Sequence, residues 1–537
     1  MWGEKCKTFN RPGSEERLAL TDFESDKHTY TRKEARELIS KISATLLKVY
    51  NIKSGDHVVL AYPTSSLFAL IASACIRVGI VMVMVNHLFT PEQIKYAYNI
   101  SESTFILATE SIKENIKKAD IEEKKCIFVE SELDPNSATN TLLTSLEEAA
   151  SVLSTLPTTS FDESSPLLIS FSSGTTGNPK PVVLTHANYI AFSYCIDQIP
   201  GYNAVPSDWN DDWPTDMLIY LPSYHGSGFA IFMHSLNNGS KLYFNWSMPP
   251  NVPKLVRGFK QVRPYNNVTV PPLLLPLTRS GLTGPKGLSD CCTFLHSIAS
   301  PLGKLAQKEI QETLQIKIGQ FWGLTETTGP VTASNMIQPT IFGSSGELVA
   351  GMEMKFLDDQ GNIAEHGEWG EIYVRGPLIM KEYFNNKMAY QKAVSKVRDI
   401  GYMDDEGRLF VVDRKADLLK IEDVLVSPSE VEDVLQSYPG IMDAAVVGLD
   451  GKEQIDLRAF VVLRSEKVKD NQINVYDVDV DHKALPDQGQ IAKDIENFIS
   501  AKLIKQKHLT GGVVFLTKIP KSTNSKILRK KLKELSV

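Results

Sequence analysis

Leu167-Leu168-Ile169-Ser170-Phe171 runs directly into Ser172-Ser173-Gly174-Thr175-Thr176-Gly177-Asn178-Pro179-Lys180. A short apolar run bounded by turn formers reads as a buried strand. The segment behind it carries hydroxyls, two glycines and one lysine. Such a loop can wrap a polyphosphate with backbone N–H groups, side-chain donors and one mobile cation. It is not a Walker loop: two residues separate Gly174 from Gly177 where that motif has four, and Pro179 precedes Lys180. A Ser/Thr/Gly loop alone is often only flexible. Its place at the end of a core strand favours phosphate, because ligands of open α/β sheets gather there.

Outward from this stretch, apolar runs alternate with helical patterns. Strand-like runs fall at His57–Ala61, Ile80–Val85, Thr104–Ala108, Cys126–Val129, Met217–Leu221, Asn267–Val270, Phe294–Ile298 and Lys317–Phe321. Thr90-Pro91-Glu92-Gln93 opens a helix with an N-cap, proline at N1 and Gln at N3. This β-α alternation predicts a large α/β lobe of doubly wound sheets. The apolar stretch Leu67–Val85 is cut by Arg77 and Gly79, which predicts a buried helix followed by a strand, not a membrane span.

After residue 343 the texture becomes β-rich. Glu371–Arg375 and Arg408–Val412 flank the turn Asp404-Asp405-Glu406-Gly407, as in a strand pair. A small α+β unit follows. Ser427-Pro428-Ser429-Glu430 reads as a capping box, and Ile491, Ile495, Phe498 and Ile499 repeat at helical spacing. The expected division is 1–412 for the large lobe with its β-rich subdomain and 413–537 for a small mobile C-terminal domain. Asp477, Asp479 and Asp481 mimic the start of a calcium loop, but His482 and Gln488 occupy the positions needing glycine and glutamate, so this stretch reads as a solvated loop.

The chain has 537 residues, 42% hydrophobic and 23% charged, with a formal net charge of -7. Disorder, collagen repeats and a disulfide scaffold are excluded, and no general basic character points to nucleic acid. Six scattered cysteines form no CxxC and suit a reducing compartment. Met1–Cys6 is not followed by the apolar core of a secretory signal, and Leu535-Ser536-Val537 is not a peroxisomal Ser-Lys-Leu ending. A cytoplasmic location is the expectation, with peripheral membrane contact and oligomeric state left open.

Two more segments carry chemistry. Gly319-Gln320-Phe321-Trp322-Gly323-Leu324-Thr325-Glu326 again follows a strand; an aromatic beside glycine can stack on a purine or aryl group, and Glu326 offers a hard oxygen for Mg²⁺. Pro520-Lys521-Ser522-Thr523-Asn524-Ser525-Lys526-Ile527-Leu528-Arg529 alone would pass as a basic exposed tail. In this order and on this background, the three segments resemble the acyl-adenylate-forming superfamily of acyl-CoA synthetases, 4-coumarate-CoA ligases and luciferases. Leu221–His225, Val270–Pro272, Ser297–Gly303, Gly370–Gly376, Asp399–Tyr402, Val411–Arg414 and Gly511–Phe515 extend the likeness from about Thr29 to Leu532.

The resemblance implies that a carboxylic acid attacks the α-phosphorus of ATP, giving acyl-AMP and pyrophosphate, and that coenzyme A takes the acyl group. On that pattern Ser172, Ser173, Gly174, Thr175, Thr176, Gly177 and Lys180 hold the β- and γ-phosphates, Thr325 the α-phosphate and Glu326 the Mg²⁺. Asp399 would bind the ribose with Arg414 nearby; Ala299, Ser300, Gln320, Phe321, Trp322 and Gly323 would frame adenine. Lys526 would be the mobile cation of adenylation, and Lys420 a catalytic lysine of the small domain. His225, Gly226, Ser227, Ile298, Gly323, Thr328 and Gly329 would line the acyl pocket. Amino-acid-activating members of the resembled superfamily place an Asp near here to pair the substrate's α-ammonium; Tyr224-His225-Gly226-Ser227 has no carboxylate, so the resemblance implies a plain fatty or aryl acid.

Several positions depart from the family. Pro181 replaces a glycine after the loop lysine, Ile298 a glycine of the pocket wall, Lys396-Val397-Arg398 a His-Thr-Gly, and Ser525 a glycine before Lys526. Ala416 stands at the expected hinge. Glu422-Asp423 replaces the Lys-Gly pair at the CoA tunnel. Three readings therefore stand: a CoA ligase, an adenylating enzyme with another acceptor or luciferase-like oxidation, and a catalytically quiet ligand-binding member.

Overall fold

The computed structural model describes residues 15–23, 28–129, 162–172, 179–202, 216–247, 251–384, 395–451, 454–463, 489–521 and 527–535. The apolar run at Leu167 forms the strand Pro166–Ser172 of a seven-stranded sheet. Beside it, in order, lie the parallel strands Val81–Met84, His57–Ala61, Phe105–Thr109 and Cys126–Val129. On its other side Lys180–Thr185 and Glu382–Tyr383 add antiparallel. The Leu67–Val85 stretch divides as expected: helix Ser66–Val78 stops at Gly79, whose left-handed φ of +74° favours glycine, and the chain re-enters as a strand. Thr90 and Gln93 form the reciprocal capping box. Among the described residues no helix is long and apolar enough to cross a membrane.

A second sheet carries Asn266–Thr269, Phe294–Ser297 and Lys317–Gly323 in parallel, then Pro330–Ala333 and Glu347–Leu348 antiparallel. The β-rich subdomain corrects one expectation. Gly370–Arg375 and Leu409–Arg414 are not paired with each other, because Ser395–Met403 lies between them and pairs with both. The turn at Asp404–Gly407 joins that inserted strand to Leu409–Arg414. Gly370–Arg375 is an interior strand, paired on its other side with Glu353–Leu357, and the strand that the turn closes is the one directly before it.

The chain leaves this sheet after Arg414 and enters the hairpin Leu419–Ile421/Val424–Val426. A separate core begins at Ile421 and includes Val431, Leu435, Val446, Val461, Ile495 and Phe515. It is built from helices Pro428–Gln436 and Gly489–Ser500 on the sheet Ile441–Asp450, Ile455–Leu463 and Val513–Phe515. Ser427 caps the first helix at Glu430 N, but the expected box is half made: the Glu430 carboxylate goes to Lys507 Nζ at 2.6 and 2.7 Å instead. A charged partner outcompetes the N-cap amide. The Asp477–Asp481 segment lies outside the described residues.

Candidate active site

The strands Pro166–Ser172 and Lys317–Gly323 end at one cavity of about 1620 Å³. It collects Ser172 and Lys180 from the first sheet, and Ile298, Ala299, Ser300, Gln320, Phe321, Trp322, Gly323, Thr325, Glu326, Thr328 and Gly329 from the second. Asp399 and Arg414 reach it from the β-rich subdomain, while His225 and Ser227 come from the start of helix Gly226–Asn237. Gly226 is buried in that helix behind them.

Glu326 sits in a single helical turn, Thr325–Thr327, tied by the Leu324 N–H to Thr327 Oγ1 at 2.8 Å. Its Oε1 accepts a hydrogen bond of 2.9 Å from the Tyr383 hydroxyl. The Lys180 ammonium lies 5.5 Å from the centre of the same tyrosine ring, a cation–π distance. One tyrosine thus links the lysine of the first motif to the carboxylate of the second. Nothing local in the sequence announced Tyr383, which is 57 residues from Glu326. Thr328 is buried and its hydroxyl donates to Leu378 O at 2.8 Å, so it faces the cavity with its donor already used.

Asp399, only 7% exposed, accepts from Trp322 Nε1 at 3.1 Å and has Arg414 Nε 3.9 Å from its other oxygen. A buried carboxylate held between an indole donor and a guanidinium is fixed in direction, as a ribose-binding acceptor must be. The Gln320 amide is consumed by structure: it exchanges hydrogen bonds with the backbone of Leu302 at 3.2 and 3.1 Å and donates to Gln307 Oε1. Its part in the site is to hold the Ser300–Gly303 loop. Phe321 stacks on His296 at 4.0 Å, and Tyr202 stacks behind it at 6.4 Å. His296 is fully buried and neither ring nitrogen makes a hydrogen bond of ordinary geometry. Burial holds its pKa down at about 3 against a weak pull from the Ser334 backbone. Deeper in the wall, burial lowers His234 to about 4 despite Asp197 at 3.7 Å.

Other expected residues stand apart. Lys420, Glu422 and Asp423 occupy the exposed hairpin, outside the cavity wall. There Lys420 lies 3.8 Å from Asp423, while Glu422, at φ +53°, takes Gln506 Nε2 at 2.6 Å and has Lys505 at 3.7 Å. Ser173, Gly174, Thr175, Thr176, Gly177, Ser525 and Lys526 lie outside the described residues. The chain flanking Lys526 does reach the cavity, where Lys521, Ile527 and Arg529 are part of the wall. Lys521 is held by Asp443 at 2.5 Å, and Arg529 by the buried Glu432 and by Val446 O at 2.7 Å.

A profile of the family described as AMP-binding enzyme matches residues 10–384. The chain belongs to this family, within the acyl-adenylate-forming superfamily. It is 29% identical over 518 residues to a 4-coumarate–CoA ligase of Vanilla planifolia, covering 93% of this chain and 87% of the relative. A luciferin 4-monooxygenase of Photuris pensylvanica is 27% identical over 512 residues, covering 92% and 87%. The O-succinylbenzoate coenzyme A synthetase of Bacillus subtilis, solved in complex with ATP and magnesium ion, superposes with a TM-score of 0.73 at 23% identity over 96% and 97% of the two chains. The large N-terminal lobe and smaller C-terminal domain are thus those of adenylate-forming ligases.

Proposed function

We propose that this protein uses ATP to activate a non-amino carboxylic acid, fatty or aryl, as an acyl-AMP and passes the acyl group to the thiol of coenzyme A. The observation that carries the reading is the convergence of Ser172, Lys180, Thr325, Glu326, Asp399 and Arg414 on one cavity. A carboxylate and a polyanionic nucleotide repel each other, and the phosphoryl transition state spreads negative charge over its oxygens, so positioned cations and donors must supply most of the catalysis. In this reading Lys180 and Thr325 take the phosphates, and Asp399 with Arg414 the ribose. Lys526 takes the role of the adenylation cation from its motif. Glu326, oriented by Tyr383, fits Mg²⁺ in the usual manner of that ion, one carboxylate with phosphates and water completing the shell. When bound, the ion would neutralise phosphate charge. Among the described residues no cluster of three acidic, His or Cys groups forms a dedicated metal cage.

Beside the polar groups, Phe192, Ile196, Tyr202, Ile231 and Phe321 give the cavity an apolar wall suited to an acyl or aryl chain. A cytoplasmic, reducing location is part of this proposal and fits the free thiols of Cys75, Cys195, Cys291 and Cys292, all buried. The test follows pyrophosphate exchange with ATP, Mg²⁺ and a panel of aryl, medium-chain and long-chain acids, with and without CoA. Exchange with one acid class and CoA-dependent release of AMP is expected; no exchange with any acid overturns the reading. The acidic turn Glu422-Asp423 favours a second reading, an acceptor other than CoA. Efficient single-turnover transfer to CoA in the wild type, unchanged by Glu422→Lys with Asp423→Gly, excludes it.

A further inference from the structure

Helix Lys304–Leu314 opens at Gly303, a residue with no side chain to cap it. The first N–H groups of a helix need acceptors, and here they find one in the other domain. Asp433, on helix Pro428–Gln436, accepts from Leu305 N through Oδ2 at 3.1 Å and from Ala306 N through Oδ1 at 3.2 Å. A Cβ on residue 303 would run into that carboxylate, so the glycine leaves the place that the foreign cap fills.

A second contact is its mirror image. Arg279 ends helix Pro271–Arg279 in the large lobe, and its side chain is 6% exposed. Glu309, from the helix that Asp433 caps, holds Nε and Nη2 at 3.0 and 2.8 Å. The remaining hydrogens cross the domain boundary, from Nη1 to Ile441 O at 2.9 Å and Met442 O at 3.2 Å, and from Nη2 to Gln436 O at 3.2 Å. An anion therefore meets the positive end of a large-lobe helix, and a cation meets the last carbonyl of the small-domain helix, Gln436 O, together with two carbonyls at the start of the strand Ile441–Asp450. In the orientation so held, Lys521, Ile527 and Arg529 face the same cavity as Thr325 and Glu326.

We infer that Asp433 and Arg279 are positioning residues that latch the C-terminal domain over the cavity for acid activation. The inference rests on the reading under Proposed function for its catalytic consequence, but the latch itself is testable without it. The experiment compares wild type, Asp433→Ala, Asp433→Asn and Arg279→Ala, the last removing the second contact while the helix cap stays in place. Three readouts are taken: distances between spin labels at the exposed Ile363 and Ile504, amide exchange at Leu305 and Ala306, and acyl-AMP formation with whichever acid supports pyrophosphate exchange.

Asp433→Ala is expected to broaden the label distances and lower acyl-AMP formation about tenfold, the size of a lost N-cap. Asp433→Asn, which keeps one acceptor, should fall between. Arg279→Ala should broaden the distances and lower the rate while Leu305 and Ala306 stay protected. Unchanged distances in Asp433→Ala, or in Arg279→Ala, would overturn the latch and leave Asp433 a mere helix cap. If wild type activates no acid on the panel, the functional reading fails, and the distances and amide exchange alone decide the latch.

Discussion

Replacing Tyr383 by Phe removes one oxygen and leaves the ring under Lys180. The lost interaction is the 2.9 Å hydrogen bond to the Glu326 carboxylate. Hydrogen bonds to charged groups contribute about 1.5–3 kcal/mol. Both side chains are half-buried, so water can replace part of the bond, which leaves about 1–1.5 kcal/mol. At 1.36 kcal/mol per decade this is a fall of about five- to twelvefold in kcat/KM for adenylation. The loss should appear mainly as a weaker response to Mg²⁺, because the carboxylate is still present but no longer aimed. Tyr383→Ala, which also removes the surface beneath Lys180, should cost more and raise the KM for ATP. The assay is pyrophosphate exchange over a Mg²⁺ titration with each variant. A Tyr383→Phe enzyme within twofold of wild type at all Mg²⁺ concentrations would refute the idea that this hydroxyl orients Glu326.

Trp322→Phe keeps an aromatic ring but removes the donor to Asp399; the KM for ATP should rise about tenfold, read from initial rates, with little change in acid KM. Arg529→Ala leaves the buried Glu432 with Val446 N as its partner at 2.7 Å, and urea unfolding should show a loss of about 3–5 kcal/mol. His296 and His234 are held neutral with pKa values of about 3 and about 4, whereas an unfolded histidine titrates near 6.5. The unfolded chain thus binds protons that the native core refuses, so the stability these groups allow is complete above about pH 6.5 and declines as pH falls towards 4. Between pH 7 and 5 the two together predict a loss of about 4 kcal/mol, and His296→Leu should flatten that slope in thermal melts.

Local patterns in the chain determined much of this architecture. The strand at Leu167, the break at Gly79, the box at Thr90 and the helix at Ile491 each follow from period, cap or conformational freedom within a dozen residues. The three motifs likewise identified the class of chemistry, since phosphate loops and strand-end carboxylates are contiguous in sequence. Tertiary structure alone decided what distant segments do for one another. Tyr383 joins Lys180 to Glu326, Trp322 turns Asp399, and Gln320 spends its amide on the neighbouring loop. The strand Ser395–Met403 slipped between two others that looked like a pair. Asp433 is an ordinary acidic residue on an amphipathic helix until the domains meet, and Gly303 only the last residue of the Ser297–Gly303 segment. Their roles arise because an uncapped helix end must find its acceptor somewhere, and only the folded chain determines that the acceptor is 128 residues away from Leu305.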